Sequence, residues 1–351
     1  MLSPRTETVL KSIVGQYITK ATPVPSQSII NDYELGVSAA TIRNEMAVLE
    51  QEGYITRPHP SAGSIPSDKG YRRYVESLGD VKLPLAEQRL VSHLFHQVEK
   101  ELDEWLNLAA TLIAQMAQNA AVVTMPKPKA CQFRYLELVS LQDSMALFVL
   151  VLSGAKVRQQ LITFDQIISQ PELTAIANKL SAAYSGLTGS QILAKGTGLS
   201  PTEQQITDCL VKIMEDEDNQ EYEEPYLDGL YLTFNQPEFA RNRQMALTLM
   251  ELIEQRNLLR SILPLRLTSN RVHVVIGKEN KAEAIQNYSV VLSRYGPPEG
   301  AIGTIGVIGP TRMPYARSIA TVGYLSSVLS GLMAKLYGRE TPIELNLNAT
   351  N

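Results

Sequence analysis

The chain has 351 residues, of which 44% are hydrophobic and 19% charged, with a formal net charge of −4. This is enough for about two to three domains with sizeable cores, and it excludes general disorder and a uniformly basic nucleic-acid coat. Two cysteines, Cys131 and Cys209, exclude a disulfide framework and point to a reducing compartment. The opening MLSPRTETVL lacks an apolar signal region, and the longest aliphatic run, MALFVLVL at 145–152, is too short to span a bilayer. That run reads as a buried strand, and the expected location is cytoplasmic.

Ser3 and Pro4 begin the first predicted helix as N-cap and first helical residue, and Leu10, Ile13, Val14, Tyr17 and Ile18 form its apolar stripe. ATPVPS (21–26) interrupts the chain, and Ser26 caps a short helix carrying Ile29, Ile30 and Tyr33. Gly36 supplies a tight turn, Ser38 the next N-cap, and Val37 with Ile42 the spacing of a hydrophobic staple. Ile42, Met46 and Leu49 face inward, so the opposite side presents Ala40, Arg43, Asn44, Ala47 and Gln51, with Thr41 on a flank. Arg and Asn can make bidentate contacts to guanine and adenine edges in the major groove. Gly53 closes this helix. Tyr54–Arg57, the PSAG turn (60–63) and Ser64–Pro66 read as a β-hairpin wing, and Ser67 and Asp68 start another helix. The result is a winged helix-turn-helix over residues 1–78.

Those 78 residues hold eight Lys/Arg and eight Asp/Glu, so affinity for DNA must come from local placement and dimerisation rather than bulk charge. The DNA-contact candidates are Ser38, Ala40, Thr41, Arg43 and Asn44 on the helix, and Arg57, His59, Ser61 and Ser64 on the wing. Lys69, Arg72 and Arg73 after the wing are candidates for the phosphate backbone.

After a linker with Gly79 and Pro84, residues 86–120 read as one long helix, with an apolar stripe from Leu90 to Met116. The stripe suits either a core-covering helix or a partial contact with a second subunit. Strands are expected near 133–141, 144–152 and 156–163, then helices near 171–184 and 201–214 with glycine-rich turns between. The acidic EDEDNQEYEEP (215–225) reads as a solvated loop. A strand near 227–234, a helix from Glu238 to Leu263, strands at 272–277, 288–296 and 302–309, and a helix from Tyr315 to Leu336 complete the pattern. Helix, three strands, an interruption, then a helix, three strands and a helix give an α+β domain split by an insertion near 165–236.

The run SAATIRNEM…LE..GYI..PH.SAG.IPSDKGYR.YV, together with VVIGKEN (274–280) and IGVIGPTRMPYAR (305–317), resembles the heat-inducible transcription repressor family, HrcA. The chain departs from that pattern at Ser64 and at Pro25-Ser26-Gln27, where the family pattern carries arginines. The resemblance implies a GAF-like domain over 79–164 and 237–340, with an inserted dimerisation segment at 165–236. It also implies a dimeric repressor of chaperone operons, bound to a CIRCE-type inverted repeat of double-stranded DNA and modulated by a GroEL-type chaperonin. Rival readings are a regulator answering to a small effector, or an interaction module whose winged helix binds no DNA.

Enzyme readings find little support. No GxSxG, HExxH or Walker A motif occurs. His93, His96 and Glu99 share one side of a predicted helix without an evident further ligand, so no metal or other cofactor is expected. Gly300, Gly303, Gly306 and Gly309 lie in an apolar strand, where close backbone packing is the expected cause. GPTRM (309–313) reads as a strand-to-helix connection, with an anion site at the helix N-terminus as the alternative.

Overall fold

Helix α1 (Pro4–Lys20) starts where its capping chemistry places it, since the Ser3 hydroxyl oxygen accepts from the Thr6 N–H at 3.1 Å. Val9, Leu10, Ile13 and Val14 are buried in one cluster with Ile29 of α2 (Ser26–Asp32) and Ile42, Met46 and Leu49 of α3 (Ala39–Gln51). Gly53, at φ +76°, ends α3: the Tyr54 N–H reaches back to the Leu49 carbonyl at 2.8 Å and the Gly53 N–H to Glu50 at 3.0 Å. Next come β1 (Ile55–Thr56) and β2 (Ile65–Pro66), an antiparallel ribbon, and α4 (Asp68–Glu76), capped by Ser67.

The structure is a computed structural model that describes the chain apart from residues 1, 33–37, 60–61, 99–100, 128–129, 143, 154–156, 196–197, 220–224, 256–261, 263–270, 298–299 and 337–351. The expected turn at Gly36, the staple residue Val37 and the hairpin residue Ser61 lie outside the described residues.

The single helix expected over 86–120 is instead three elements: α5 (Leu85–Gln97), α6 (Leu102–Ala117) and a strand, β3 (Ala120–Val123). Val98 and Glu101 have extended backbones, and Gln118 takes a left-handed conformation that ends α6. The stripe spacing runs on through the break, so periodicity alone did not reveal it.

In unit 2, Pro128–Glu221, strands β4 (Phe133–Gln142), β5 (Met145–Leu152) and β6 (Val157–Thr163) pair in sequence as an antiparallel sheet. This corrects the expected boundary at residue 165, because these strands bond to each other and not to the strands of the other sheet. Helices α7 (Gln170–Tyr184), α8 (Gly189–Lys195) and α9 (Pro201–Asn219) belong to the same unit; α8 stands where only turns were expected. Helix α9 carries the start of the acidic run, and Glu217 there is buried and ion-paired to Arg158. Phe133, Leu136, Leu138, Phe148, Leu150, Leu173, Leu180 and Leu210 form this unit's own core.

β5 differs from the fully buried strand expected. Its burial alternates, with Ala146, Phe148, Leu150 and Leu152 inside and Leu147, Val149 and Val151 half-exposed. Val139, Val157 and Leu161 are exposed on the flanking strands, so the outer face of this sheet is largely apolar, with Glu137 and Gln159 as polar groups on either side of Val149.

Burial pushes the Cys131 thiol up to about 12, and nearby Asp218 adds to the shift. Cys131 is therefore expected to resist alkylation at pH 8 in the folded protein and to react once unfolded; rapid labelling of the native chain would contradict its burial.

In the other unit the chain returns through β7 (Tyr226–Asp228), α10 (Leu230–Phe234), α11 (Pro237–Arg241) and α12 (Arg243–Glu254). Gly229, at φ +75°, divides the strand expected at 227–234 into β7 and α10, and Asn242 divides α11 from α12. Strands β8 (His273–Ile276), β9 (Tyr288–Tyr295) and β10 (Gly303–Pro310) precede α13 (Tyr315–Leu336). The five-stranded sheet has the order β7-β3-β10-β9-β8, antiparallel throughout. Residues of α6 and α13 share a core with one sheet face, through Val291 and Val307, and α11 and α12 with the other, through Val290 and Ile308.

Helix α13 is long and apolar enough to cross a membrane, but its Ser318, Thr321 and Ser326 are buried, and Ser326 Oγ lies 3.0 Å from Ser293 Oγ of the sheet. It is a core helix. The glycine series is explained by packing: a Cβ on Gly303 would lie 2.3 Å from the Tyr295 ring, and one on Gly309 2.0 Å from Asn119 Oδ1. Tyr295 is fully buried and donates to the Thr124 carbonyl at 2.5 Å, so it has nowhere to retreat. Gly303→Ala is expected to cost about 1–3 kcal/mol of stability, measured by denaturant unfolding, and an unchanged midpoint would contradict this packing.

Candidate nucleic-acid interface

Helix α3 is held from behind and open in front. Its inner residues Ile42, Met46 and Leu49 are buried, and the Thr6 hydroxyl donates to Glu45 Oε2 at 2.6 Å, drawing that carboxylate toward α1. The Ser38 hydroxyl accepts from the Thr41 N–H at 3.2 Å and caps the helix. On the outer side Ser38, Ala40, Arg43, Asn44, Ala47 and Gln51 are exposed, and Thr41 is half-buried. Neither Arg43 nor Asn44 has a side-chain partner among the described residues, so both are available to an external ligand. Val48, also exposed, was missed; its place four residues after Asn44 on the same face was the available signal.

The ribbon residues divide. His59 is exposed, whereas Arg57 is ion-paired with Glu50 of α3 at 3.2 Å. Ser64 is fully buried, because its backbone exchanges hydrogen bonds with Val24 at 2.8 and 2.9 Å. This corrects its expected role: a side chain turned into the protein at this position cannot reach phosphate. Gly63 is fixed by the same contact, since a Cβ there would lie 2.5 Å from the Val24 backbone.

The basic cluster after the ribbon is largely engaged within the protein. Lys69 Nζ donates to the Glu52 carbonyl at 2.7 Å and sits 4.2 Å from the centre of the Tyr54 ring. Arg73 pairs with Glu7 at 3.1 Å and Glu76 at 3.6 Å. Arg72 donates from Nε to Glu279 Oε1 at 2.7 Å and from Nη2 to the Val274 carbonyl at 2.7 Å, with a second short bond to Glu279. The Glu279 hydrogen bond holds the Arg72 guanidinium above its usual pKa. Burial alone would raise the Glu279 carboxyl, but bonds from Arg72 and the Ile276 N–H outweigh it and hold it below the usual range. Sequence reasoning placed these cations together but could not supply partners so distant in the chain.

Elsewhere, Arg312 of the GPTRM turn is bound to protein groups, which favours the connection reading of that segment. Glu99 lies outside the described residues, and among the described residues no His, Cys, Asp or Glu group is arranged to hold a metal.

The chain resembles known proteins over most of its length. The family model described as "HrcA protein C terminal domain" matches residues 103–319. A heat-inducible transcription repressor HrcA of Dehalococcoides mccartyi is 54% identical over 339 residues, covering 97% of this chain and 98% of that protein. One from Roseiflexus castenholzii is 40% identical over 348 residues, covering 97% and 96%. A crystal structure described as that of a hypothetical protein matches with a TM-score of 0.60 at 23% identity, covering 95% of this chain and 99% of that one, and supports the fold alone.

Proposed function

Because the chain belongs to the HrcA family of heat-inducible transcription repressors, and is a negative regulator of heat-shock genes, we propose that α3 reads a CIRCE-type inverted-repeat operator. Helices α2 and α3 with the β1–β2 ribbon are read as a winged helix-turn-helix, and the five-stranded sheet with its helices as a GAF-like domain. Ser38, Ala40, Thr41, Arg43 and Asn44 approach bases and sugar-phosphates in the major groove. Arg57, His59 and Ser61 serve the ribbon. Lys69 and Arg73, already engaged by the Glu52 carbonyl and by Glu7 and Glu76, are assigned secondary phosphate contacts. Arg72 and Ser64 are not assigned contacts. The observation that carries the reading is the outer face of α3, where Arg43 and Asn44 are exposed and unengaged among small neighbours.

A palindromic operator calls for a two-fold dimer. The apolar outer face of β4–β6 is the surface we assign to it, which moves the dimerisation segment from 165–236 to the whole unit Pro128–Glu221. A strand buried on one face has little reason to carry Leu147, Val149 and Val151 outward unless a partner covers them. The same face, exposed in a dissociated subunit, offers a GroEL-type chaperonin an apolar surface. Chaperonin occupied by unfolded protein after heat shock would then leave the repressor inactive. The setting is the bacterial cytoplasm.

The test is an anisotropy titration of full-length protein with an inverted-repeat operator and a scrambled control, with and without chaperonin. Selective binding, strengthened by chaperonin, supports repressor and feedback together. Selective binding without chaperonin dependence removes the feedback, and equal binding of both DNAs by folded protein removes the DNA-reading assignment.

A further inference from the structure

The motifs at the two ends of the sequence meet in space. Arg312, in the turn between β10 and α13, donates from Nε to Glu238 Oε1 at 2.5 Å and from Nη2 to Glu238 Oε2 at 3.2 Å and Gln236 Oε1 at 3.1 Å. Its Nη1 donates to the Ile18 carbonyl in the last turn of α1. Carbonyls there have no partner within the helix and carry partial negative charge, so a cation from the core closes the end of a helix in the DNA-binding head.

A second contact holds the start of α4. Asp68 Oδ2 accepts from the Lys278 N–H at 2.9 Å, beside the Arg72–Glu279 pair. Gly277 makes room for it, since a Cβ there would lie 2.3 Å from the Asp68 carboxylate. Between the two contacts the buried rings of Tyr71 and Tyr315 lie 5.6 Å apart. A head held at one point can swivel; one held at the end of α1 and the start of α4 cannot. Helix α3 follows α1 through their shared core and the Thr6–Glu45 hydrogen bond, so these contacts aim the DNA-reading face.

We propose that Arg312 and Glu279 are positioning residues that determine which half-site spacing the repressor accepts. The inference rests on the inverted-repeat reading above. Each base pair added between half-sites moves one by about 3.4 Å and turns it by roughly 35°, a displacement that rigidly mounted heads cannot follow. Heads released from the core can.

The experiment measures affinity of full-length protein for operators whose half-sites are one to five base pairs closer or further apart, and for a single half-site. Wild-type protein is expected to show a sharp optimum. The double variant Glu279→Gln with Arg312→Gln is expected to show a best-to-worst ratio about tenfold smaller, with single half-site affinity unchanged, because its reading face is intact. A double variant that is folded, by its unfolding midpoint, yet keeps the wild-type spacing profile would overturn the proposal. Should the double variant fail to fold, Glu279→Gln alone, at a half-exposed ion pair, is measured in its place, and an unchanged profile there counts equally against it. Wild-type protein that does not distinguish the inverted repeat from the scrambled control would defeat the operator reading instead, a separate result.

Discussion

Arg43→Ala is expected to weaken operator binding by about 1–3 kcal/mol per half-site, with little effect on the scrambled control. Arg43 stands exposed on α3, opposite the buried Ile42–Met46–Leu49 side, and no carboxylate engages it among the described residues. Losing it therefore leaves no buried charge behind, and folding stability should stay within about 0.5 kcal/mol of wild type. The salt dependence identifies the kind of contact. If the guanidinium reads a base, affinity falls at fixed slope; if it touches phosphate, specific and non-specific binding fall together and the log–log slope drops by about one per half-site. A loss of a few tenths of a kcal/mol would take Arg43 out of the reading set.

Phe148→Ala is expected to cost about 3–5 kcal/mol, confined to the unit Pro128–Glu221. Phe148 is fully buried at the centre of β5, opposite Leu138 on β4, and the core it belongs to contains no residue of the five-stranded sheet. Calorimetry should show one transition moving to lower temperature while a second stays in place. Sedimentation should show dimer giving way to monomer if the outer face of the same sheet carries the interface. Operator affinity would fall with the dimer even though α3 is untouched. A single transition displaced as a whole would mean that the two cores unfold together.

Local chemistry was legible in the sequence. Ser3, Ser38 and Ser67 cap the helices they precede, and Gly53 ends α3, because each acts within a few residues of its partner. Strands β4 to β6 and β8 to β10 were recognisable by their runs of apolar residues. Which strands share a sheet was not, since a strand's composition does not name its neighbour; β4–β6, read with β8–β10 as one α+β domain, pair among themselves. The break between α5 and α6 was hidden because the apolar spacing continues across it. At the candidate interface, the periodicity of α3 separated inner from outer residues, whereas the fate of the basic cluster depended on Glu7, the Glu52 carbonyl and Glu279. Ser64 looked like a surface residue because its partner, Val24, bonds through the backbone and leaves no trace in side-chain pattern.

The position of β3 in its sheet has a consequence for how the protein is made. β3 pairs with β7 on one side and with β10 on the other, so Ala120 must wait for Ile308 to be synthesised. During translation the N-terminal helices and the Pro128–Glu221 unit emerge first, while α6 and β3 remain without the strands that cover them and α1 and α4 still lack Arg312 and Glu279. N-terminal elements fold first, and apolar surface exposed in the interval invites aggregation. The last long helix, α13, then supplies the remaining cover for that face. Newly made repressor thus passes through a stage in which the Pro128–Glu221 unit has emerged while the five-stranded sheet, and the residues it lends to α1 and α4, are still to come.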